Sequence, residues 1–121
     1  MGMYTQLHLD LKLKIDTPKE IIDTLTDMVN VDSESEKWNN RLDWCFNSNS
    51  YYFNAFSYAK IWEDDITSSY KLFVHCDFKN YDNEIAILLN WLKPYIDTHG
   101  MIGYTRYEED KEPTILYNRV Q

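Results

Sequence analysis

Apolar and polar residues alternate through residues 4–15, and this alternation predicts the central strand of the fold. The apolar positions are Leu7, Leu9, Leu11, Leu13 and Ile15, and the polar positions between them are Gln6, His8, Asp10, Lys12 and Lys14. Side chains alternate between the two faces of a strand, so one face of this segment should be buried and the other exposed. The run Thr17-Pro18-Lys19-Glu20 is typical of a helix start, with Thr17 as N-cap and Glu20 completing a capping box.

Two segments have the apolar period of an amphipathic helix. In residues 18–29 the apolar stripe is Ile21, Ile22, Leu25, Met28 and Val29. The second helix should begin near Asp82 as N-cap, and its stripe is Ile85, Leu88, Leu89, Leu92 and Ile96. Pro94 interrupts that stripe and predicts a kink, or an end near Leu92 with a new turn beyond it, and Gly100 is placed to terminate the element.

Four further segments have strand character: residues 51–63, 70–78, 102–108 and 114–120. In the second of them the predicted core face is Leu72, Val74, Cys76 and Phe78. Short polar segments separate these strands in pairs, which favours two hairpins. Residues 30–50 fit neither period and predict a long irregular loop, part of which could pack back on the core through Trp38 and Trp44.

The element order is therefore β-α-β-β-α-β-β. It predicts a single α+β domain over residues 1–121, built as a two-layer sandwich with both helices on one face of the sheet. The arrangement that fits best is ferredoxin-like β-α-β-β-α-β with an extra C-terminal strand.

The sheet face that the helices leave open is the candidate interaction surface. Aromatic side chains mixed with polar groups on such a face are typical of a binding site. The predicted partner-binding residues are Tyr52, Phe56, Tyr58, Trp62, Phe73, His75 and His8. In the alternative, the loop at residues 30–50 folds over this face and buries the same rings.

Composition narrows the class of partner. The sequence is 44% hydrophobic, which suffices for a packed core, and its net charge is −8 from 12 basic and 20 acidic residues. This balance argues against direct nucleic-acid binding, which requires clustered Lys and Arg. Two cysteines make no disulfide framework, and no apolar run has the length of a signal peptide or a membrane span. We therefore expect a soluble cytoplasmic protein with no membrane contact.

Residues that could carry chemistry are few. His8 and His75, with Asp10 or Asp77, could ligate a metal if all four share the open face, although polar residues on sheet faces commonly have no such role. His75 and Cys76 are neighbours on one strand and point to opposite faces, so Cys76 should be core. His99 precedes Gly100 and should lie at a helix C-terminus, where a cation is favoured. Phosphate-binding, hydrolase, zinc-protease and thiol-redox motifs do not occur. We expect no catalytic residue, no cofactor and no metal.

Several stretches resemble a group of small acidic proteins from Gram-positive bacteria, their phages and mobile elements, most of which have no assigned function. These stretches are Asp16-Thr17-Pro18-Lys19-Glu20-Ile21-Ile22-Asp23, Ser50-Tyr51-Tyr52-Phe53, Lys79-Asn80-Tyr81-Asp82-Asn83-Glu84-Ile85, Trp91-Leu92-Lys93-Pro94-Tyr95-Ile96-Asp97, Tyr107-Glu108-Glu109 and Glu112-Pro113-Thr114. The resemblance spans most of the chain and implies no catalytic residue.

The sequence thus favours a non-enzymatic binding protein that engages a protein partner, or a second copy of itself, through the open face. The resemblance allows a narrower form, an anti-defence inhibitor that offers acidic clusters to a basic groove of a host protein. The alternative is a ligand binder or enzyme formed by two ferredoxin-like sheets packed face to face, with His8, His75, Tyr52 and Tyr58 lining the enclosed pocket.

Overall fold

The structure is a computed structural model. It describes residues 4–30, 46, 57–80 and 83–118. Its strands and helices follow in the order β1 (Thr5–Lys14), α1 (Lys19–Val29), β2 (Tyr58–Asp64), β3 (Ser69–Phe78), α2 (Glu84–Leu92), β4 (Gly100–Tyr107) and β5 (Thr114–Asn118). A short 3-10 turn, Lys93–Tyr95, follows α2. The α+β class predicted from the sequence is confirmed.

The five strands form one antiparallel sheet in the order β2-β3-β1-β4-β5. β1 is central, and all ten of its residues pair with β3, from Thr5 opposite Phe78 to Lys14 opposite Ser69. Both predicted hairpins, β2 with β3 and β4 with β5, are present.

One core joins the sheet to both helices. Eight of the nine apolar positions that the alternation predicted are buried: Leu7, Leu9, Leu11, Leu13, Leu72, Val74, Cys76 and Phe78. The prediction for Ile15 is wrong, because β1 ends at Lys14 and the chain turns there, which leaves Ile15 48% exposed. Ile21, Leu25 and Met28 of α1, and Ile85, Leu88 and Leu92 of α2, belong to the same cluster. The helices therefore pack on the face that these strand residues share, and we call the opposite side the open face.

The predicted capping box at the start of α1 is wrong. Pro18 occupies the N-cap position, with no side-chain cap hydrogen bond. Thr17 instead donates its hydroxyl to the main-chain oxygen of Lys14 at 2.5 Å and its N–H to the same oxygen at 3.0 Å. The threonine therefore closes the turn that leaves β1, and its side chain is buried there.

Other predicted boundaries differ as well. The N-cap position of α2 is Asn83. The side chain that bonds the first turn is that of Asn80, whose carboxamide oxygen accepts the Ile85 N–H at 3.1 Å. The helix ends at Leu92 before Pro94, as predicted, because proline has no N–H to continue the ladder. Gly100 begins β4 rather than ending a helix, and His99 lies in the exposed segment before it rather than at a helix C-terminus.

Part of the expected architecture falls outside the described residues. This holds for nearly all of the predicted 30–50 loop, with Trp38 and Trp44, for Asp82, and for the beginning of the predicted second strand. Phe46 is described and is fully buried in the core. Among the described residues, no helix is long and apolar enough to cross a membrane.

Candidate interaction surface on the open sheet face

Strand pairing arranges the open face in rows. Directly paired residues project from the same side of a sheet, so the register of β1, β3 and β2 decides which side chains are neighbours. Read from β1 to β2, the rows are Lys12 with Lys71 and Trp62, then Asp10 with Phe73 and Lys60, then His8 with His75 and Tyr58. In the first two rows, Lys60 and Lys71 therefore each have an aromatic side chain as their direct cross-strand partner.

Five of the seven predicted partner-binding residues are brought together on this face. Tyr58 and Trp62 come from β2, Phe73 and His75 from β3, and His8 from β1. Tyr58 is 56% exposed and Trp62 is 38% exposed, while the other three are partly buried. Tyr52 and Phe56, the remaining two, lie outside the described residues.

The rings contact one another around His8. The His8 ring stacks on Tyr104 with 5.0 Å between centroids, and it meets Phe73 edge-on at 5.2 Å. Tyr58 continues the cluster, with its ring 5.9 Å from that of Phe73. Edge-to-face and offset contacts at these separations are favourable for aromatic rings, so the cluster is a preformed surface.

Sequence reasoning missed Tyr104 because β4 changes phase. Simple alternation places Ile102 and Tyr104 on the same face, yet Ile102 is buried in the core and Tyr104 stacks on His8 across the sheet. The ladder with β5 shifts register between Met101 and Gly103, and such a bulge moves the following side chains to the other face. Gly103 lies within the shift. A glycine inside a strand pattern was the one available signal of a bulge.

His8 and His75 form a hydrogen-bonded pair. Their Nδ1 atoms are 3.3 Å apart, and the Gln6 amide nitrogen lies 3.4 Å from Nε2 of His75. Since the amide NH2 can only donate, His75 accepts at Nε2 and donates from Nδ1 to His8. His8 is then the tautomer that carries its proton on Nε2. Burial lowers the pKa of His8, electrostatic interaction with the neighbouring His75 lowers it further, and Asp10 opposes both effects.

Burial on this face falls along β1. Gln6 and its partner Asp77 are buried at one end, whereas Asp10, Lys12 and Lys14 are exposed at the other. The accessible part of the open face is therefore the half that carries the lysines.

A concavity of about 650 Å³ lies in that half. We call it the lysine concavity. Its lining residues are Asp10, Leu11, Lys12, Tyr58, Lys60, Trp62, Lys71, Phe73 and Thr98. Thr98 is held at the margin because its hydroxyl accepts the Lys12 N–H at 2.7 Å. The volume is in the range of ligand sites, and the mixture of aromatic walls with a few charged groups is typical of them.

The lysines in the concavity differ in their contacts. Lys71 forms an ion pair of 2.8 Å with Asp64. That contact, with hydrogen bonds from Thr67 and the Ile66 N–H, lowers the pKa of Asp64 to about 2. Lys60 instead places its Nζ 5.2 Å from the centre of the Trp62 ring, a cation–π distance. Within the described part of the chain, no carboxylate is recorded in an ion pair with Lys12 or Lys60.

The described residues do not assemble the metal site that the sequence raised as a possibility. Among the described residues, no group of three or more His, Cys, Asp or Glu side chains could hold a metal ion. The considered set of His8, His75 and Asp10 or Asp77 therefore does not assemble there. Cys76, on the opposite side of the sheet from His75, is buried in the core as expected.

Comparison of the chain with known proteins finds no matching protein-family model, no matching curated protein and no matching solved structure.

Proposed function

We propose that this chain is a non-enzymatic binding protein that engages a protein partner through the accessible half of its open face. The observation that carries the proposal is the concentration of exposed aromatic rings at the lysine concavity, on the side of the sheet opposite both helices. Trp and Tyr are enriched among the residues that dominate protein interfaces, where large rings bury much area at low entropic cost.

We also infer that the fold is ferredoxin-like with β5 added at one edge. The strand order, with β1 and β3 at the centre and all pairs antiparallel, supports this inference. In such a fold the sheet has one helix-covered face and one face available to a partner. The inference bears on function because a fold of this kind regularly leaves one face of its sheet uncovered by helices, and the open face is that face here. The same proposal locates the protein in the cytoplasm, where cysteine thiols such as that of Cys76 stay reduced.

The test of a protein partner is affinity capture from the cell that carries the gene, compared between wild type and Trp62→Ala. Tyr117→Ala is the control. Tyr117 of β5 is also an exposed aromatic residue, with 55% of its surface accessible, but it does not line the lysine concavity. We expect the captured partner to be lost with Trp62→Ala and retained with Tyr117→Ala. Equal capture by all three proteins would contradict a role for this face.

The second candidate is a face-to-face dimer that encloses a ligand, and the volume of the concavity favours it. Two copies packed through their open faces would bury Tyr58 and Trp62 of each. Light scattering at several concentrations separates the candidates, since a dimer that persists on dilution and is weakened by Trp62→Ala would mean that the face is occupied by a second copy. A monomer at all concentrations would remove this candidate.

The narrower form of the first candidate is an anti-defence inhibitor of phage or mobile-element origin that offers carboxylates to a basic groove. The acidic clusters that fall within the described residues lie on the turn after β2 and on the turn after β4. These two turns are at opposite ends of β1. Ten strand residues separate them, which is about 30 Å. Some of these carboxylates already serve the fold, because Asp64 binds Lys71 and Asp110 accepts the Tyr107 N–H at 2.9 Å. Replacing Glu108, Glu109 and Glu112 by Gln should abolish capture of a basic partner if this form holds, and unchanged capture would refute it.

A further inference from the structure

The lysine concavity has a local charge opposite to that of the chain. The full sequence carries a net charge of −8. Among the described residues that line it, the concavity contains Lys12, Lys60 and Lys71 against one carboxylate, that of Asp10. Adding Asp64, the partner of Lys71, still leaves one positive charge in excess. Charges beyond about 8 Å are largely screened at physiological ionic strength, so a bound group responds mainly to this local set.

Two of the three ammonium groups are placed to receive an anion. Lys71 is neutralised by Asp64, and so it holds the end of the β2-β3 hairpin rather than offering its charge. Lys60 places its Nζ 5.2 Å from the centre of the Trp62 ring, and its ammonium group carries three N–H donors that a carboxylate can accept. Lys12 lies one row away from Lys60 and two strands across the sheet, on β1.

The strand between these two cations, β3, presents the Phe73 ring and, beside it, Lys71 in its ion pair with Asp64. Phe73 pairs with Lys60 on one side and with Asp10 on the other, and Trp62 pairs with Lys71 in the next row. A ligand that spans the concavity therefore meets a ring between two positive charges. Carboxylates that flank an apolar or aromatic side chain match this order of groups.

We propose that the lysine concavity binds an acidic segment of a partner protein, one in which aspartate or glutamate residues flank an apolar or aromatic side chain. This deepens and rests on the proposed function, since it names the chemistry of the partner at the same face. Lys60 and Lys12 bind the carboxylates, and the side chain between them packs on Phe73 and Trp62. A protein segment is favoured over single-stranded nucleic acid because the net charge of −8 opposes a long polyanion, whose charges extend beyond the local patch.

The test uses fluorescein-labelled peptides of equal length in which phenylalanine alternates with glutamate, serine or lysine, together with an oligothymidylate of similar length. Binding is measured by fluorescence anisotropy at low and at high salt. We expect the glutamate peptide to bind about tenfold more tightly than the serine peptide at low salt, with the difference falling as salt rises. The lysine peptide should bind most weakly.

Variants assign the effect to the concavity. Lys60→Gln and Lys12→Gln should each weaken the binding of the glutamate peptide about threefold and leave the affinity for the serine peptide unchanged, as expected for exposed charge pairs. Asp10→Asn removes the carboxylate that competes with the ligand, so it should raise the affinity for the glutamate peptide. Lys111→Gln, an exposed lysine of the β4-β5 turn, is the matched control and should change neither.

The outcomes separate this inference from the proposed function. Equal affinity for the glutamate and serine peptides, both weakened by Trp62→Ala and not by Tyr117→Ala, would overturn the acidic preference and leave aromatic docking intact. Tighter binding of the oligothymidylate than of the glutamate peptide, lost with Lys60→Gln, would overturn it in favour of nucleic acid. Failure of every probe to bind wild type would overturn the inference, whereas the proposed function would still be decided by the capture experiment with Trp62→Ala.

Discussion

The two faces of the sheet use the same strands in different ways. On the helix side, β1 and β3 present aliphatic side chains and Phe78 that are almost wholly buried in one core. On the open side, the intervening residues of the same strands present His8, Phe73 and His75 among lysines and carboxylates, with partial exposure. Burial of apolar area is what stabilises a domain, whereas mixed aromatic and charged surface contributes little to folding and is available for recognition. The difference predicts that mutations on the two faces have separable effects on stability and binding.

The largest effect is expected at Gly103, where the two faces are linked through the backbone. A Cβ at this position would overlap the main-chain carbonyl oxygen of His8, so β4 could not stay paired with β1. Gly103→Ala should destabilise the protein by about 3 kcal/mol or more, and it can prevent folding. Circular dichroism and urea denaturation measure this.

Gly100→Ala is the matched control, because a Cβ there meets nothing within 4 Å although the φ angle is +88°. It should cost about 1 kcal/mol from backbone strain alone. Equal stability of the two variants would mean that β4 does not approach His8 as closely as described.

The next effect tests the helix side. Leu9 is fully buried in the core, and Leu9→Ala should reduce the free energy of unfolding by about 2–5 kcal/mol through lost burial and a residual cavity. The binding of a partner should be retained once the variant is kept below its denaturation midpoint. A loss of binding by the fully folded variant would show that the two faces are not separable.

The complementary test is made on the open side. Trp62→Ala should change the free energy of unfolding by no more than about 1 kcal/mol, because the ring is 38% exposed on an edge strand. Its effect should fall on binding instead. A loss of stability as large as that of Leu9→Ala would mean that Trp62 belongs to the structural core, and the comparison of faces would fail.

The smallest effect is the pH dependence that His8 adds to the open face. The pKa of His8 is lowered from 6.5 in the folded protein, mainly by burial, so the unfolded chain binds the proton more readily. Stability from this group is complete above pH 6.5, is lost as the pH falls through the lowered pKa, and is constant below it. Protonation of His8 at Nδ1 also removes the acceptor that His75 uses.

Denaturation midpoints at about pH 7.5 and about pH 5 should therefore differ less in His8→Gln than in wild type. His99→Gln, an exposed histidine outside the pair, is the control and should keep the wild-type difference. If both variants behave as wild type, the His8 environment does not favour the neutral ring.

The sequence alone determined the elements whose pattern is local. The alternation in β1 and β3, the stripe of α1 and the stop before Pro94 all depend on residues within a few positions of each other, and all are present in the structure. The open-face placement of His8, Phe73, His75, Tyr58 and Trp62 followed from the same alternation.

Only the tertiary structure decided which of these residues meet. His8 and His75 are 67 positions apart, and their hydrogen bond depends on the register between β1 and β3, which no local pattern specifies. The bulge at Gly103 turned Tyr104 towards His8 because the β4 backbone passes against the His8 carbonyl, a contact between distant segments. Thr17 is a different case, because its hydroxyl bonds the oxygen of Lys14, three residues earlier, in the local turn that leaves β1. Long-range pairing thus turned a strand pattern into a particular arrangement of rings and charges.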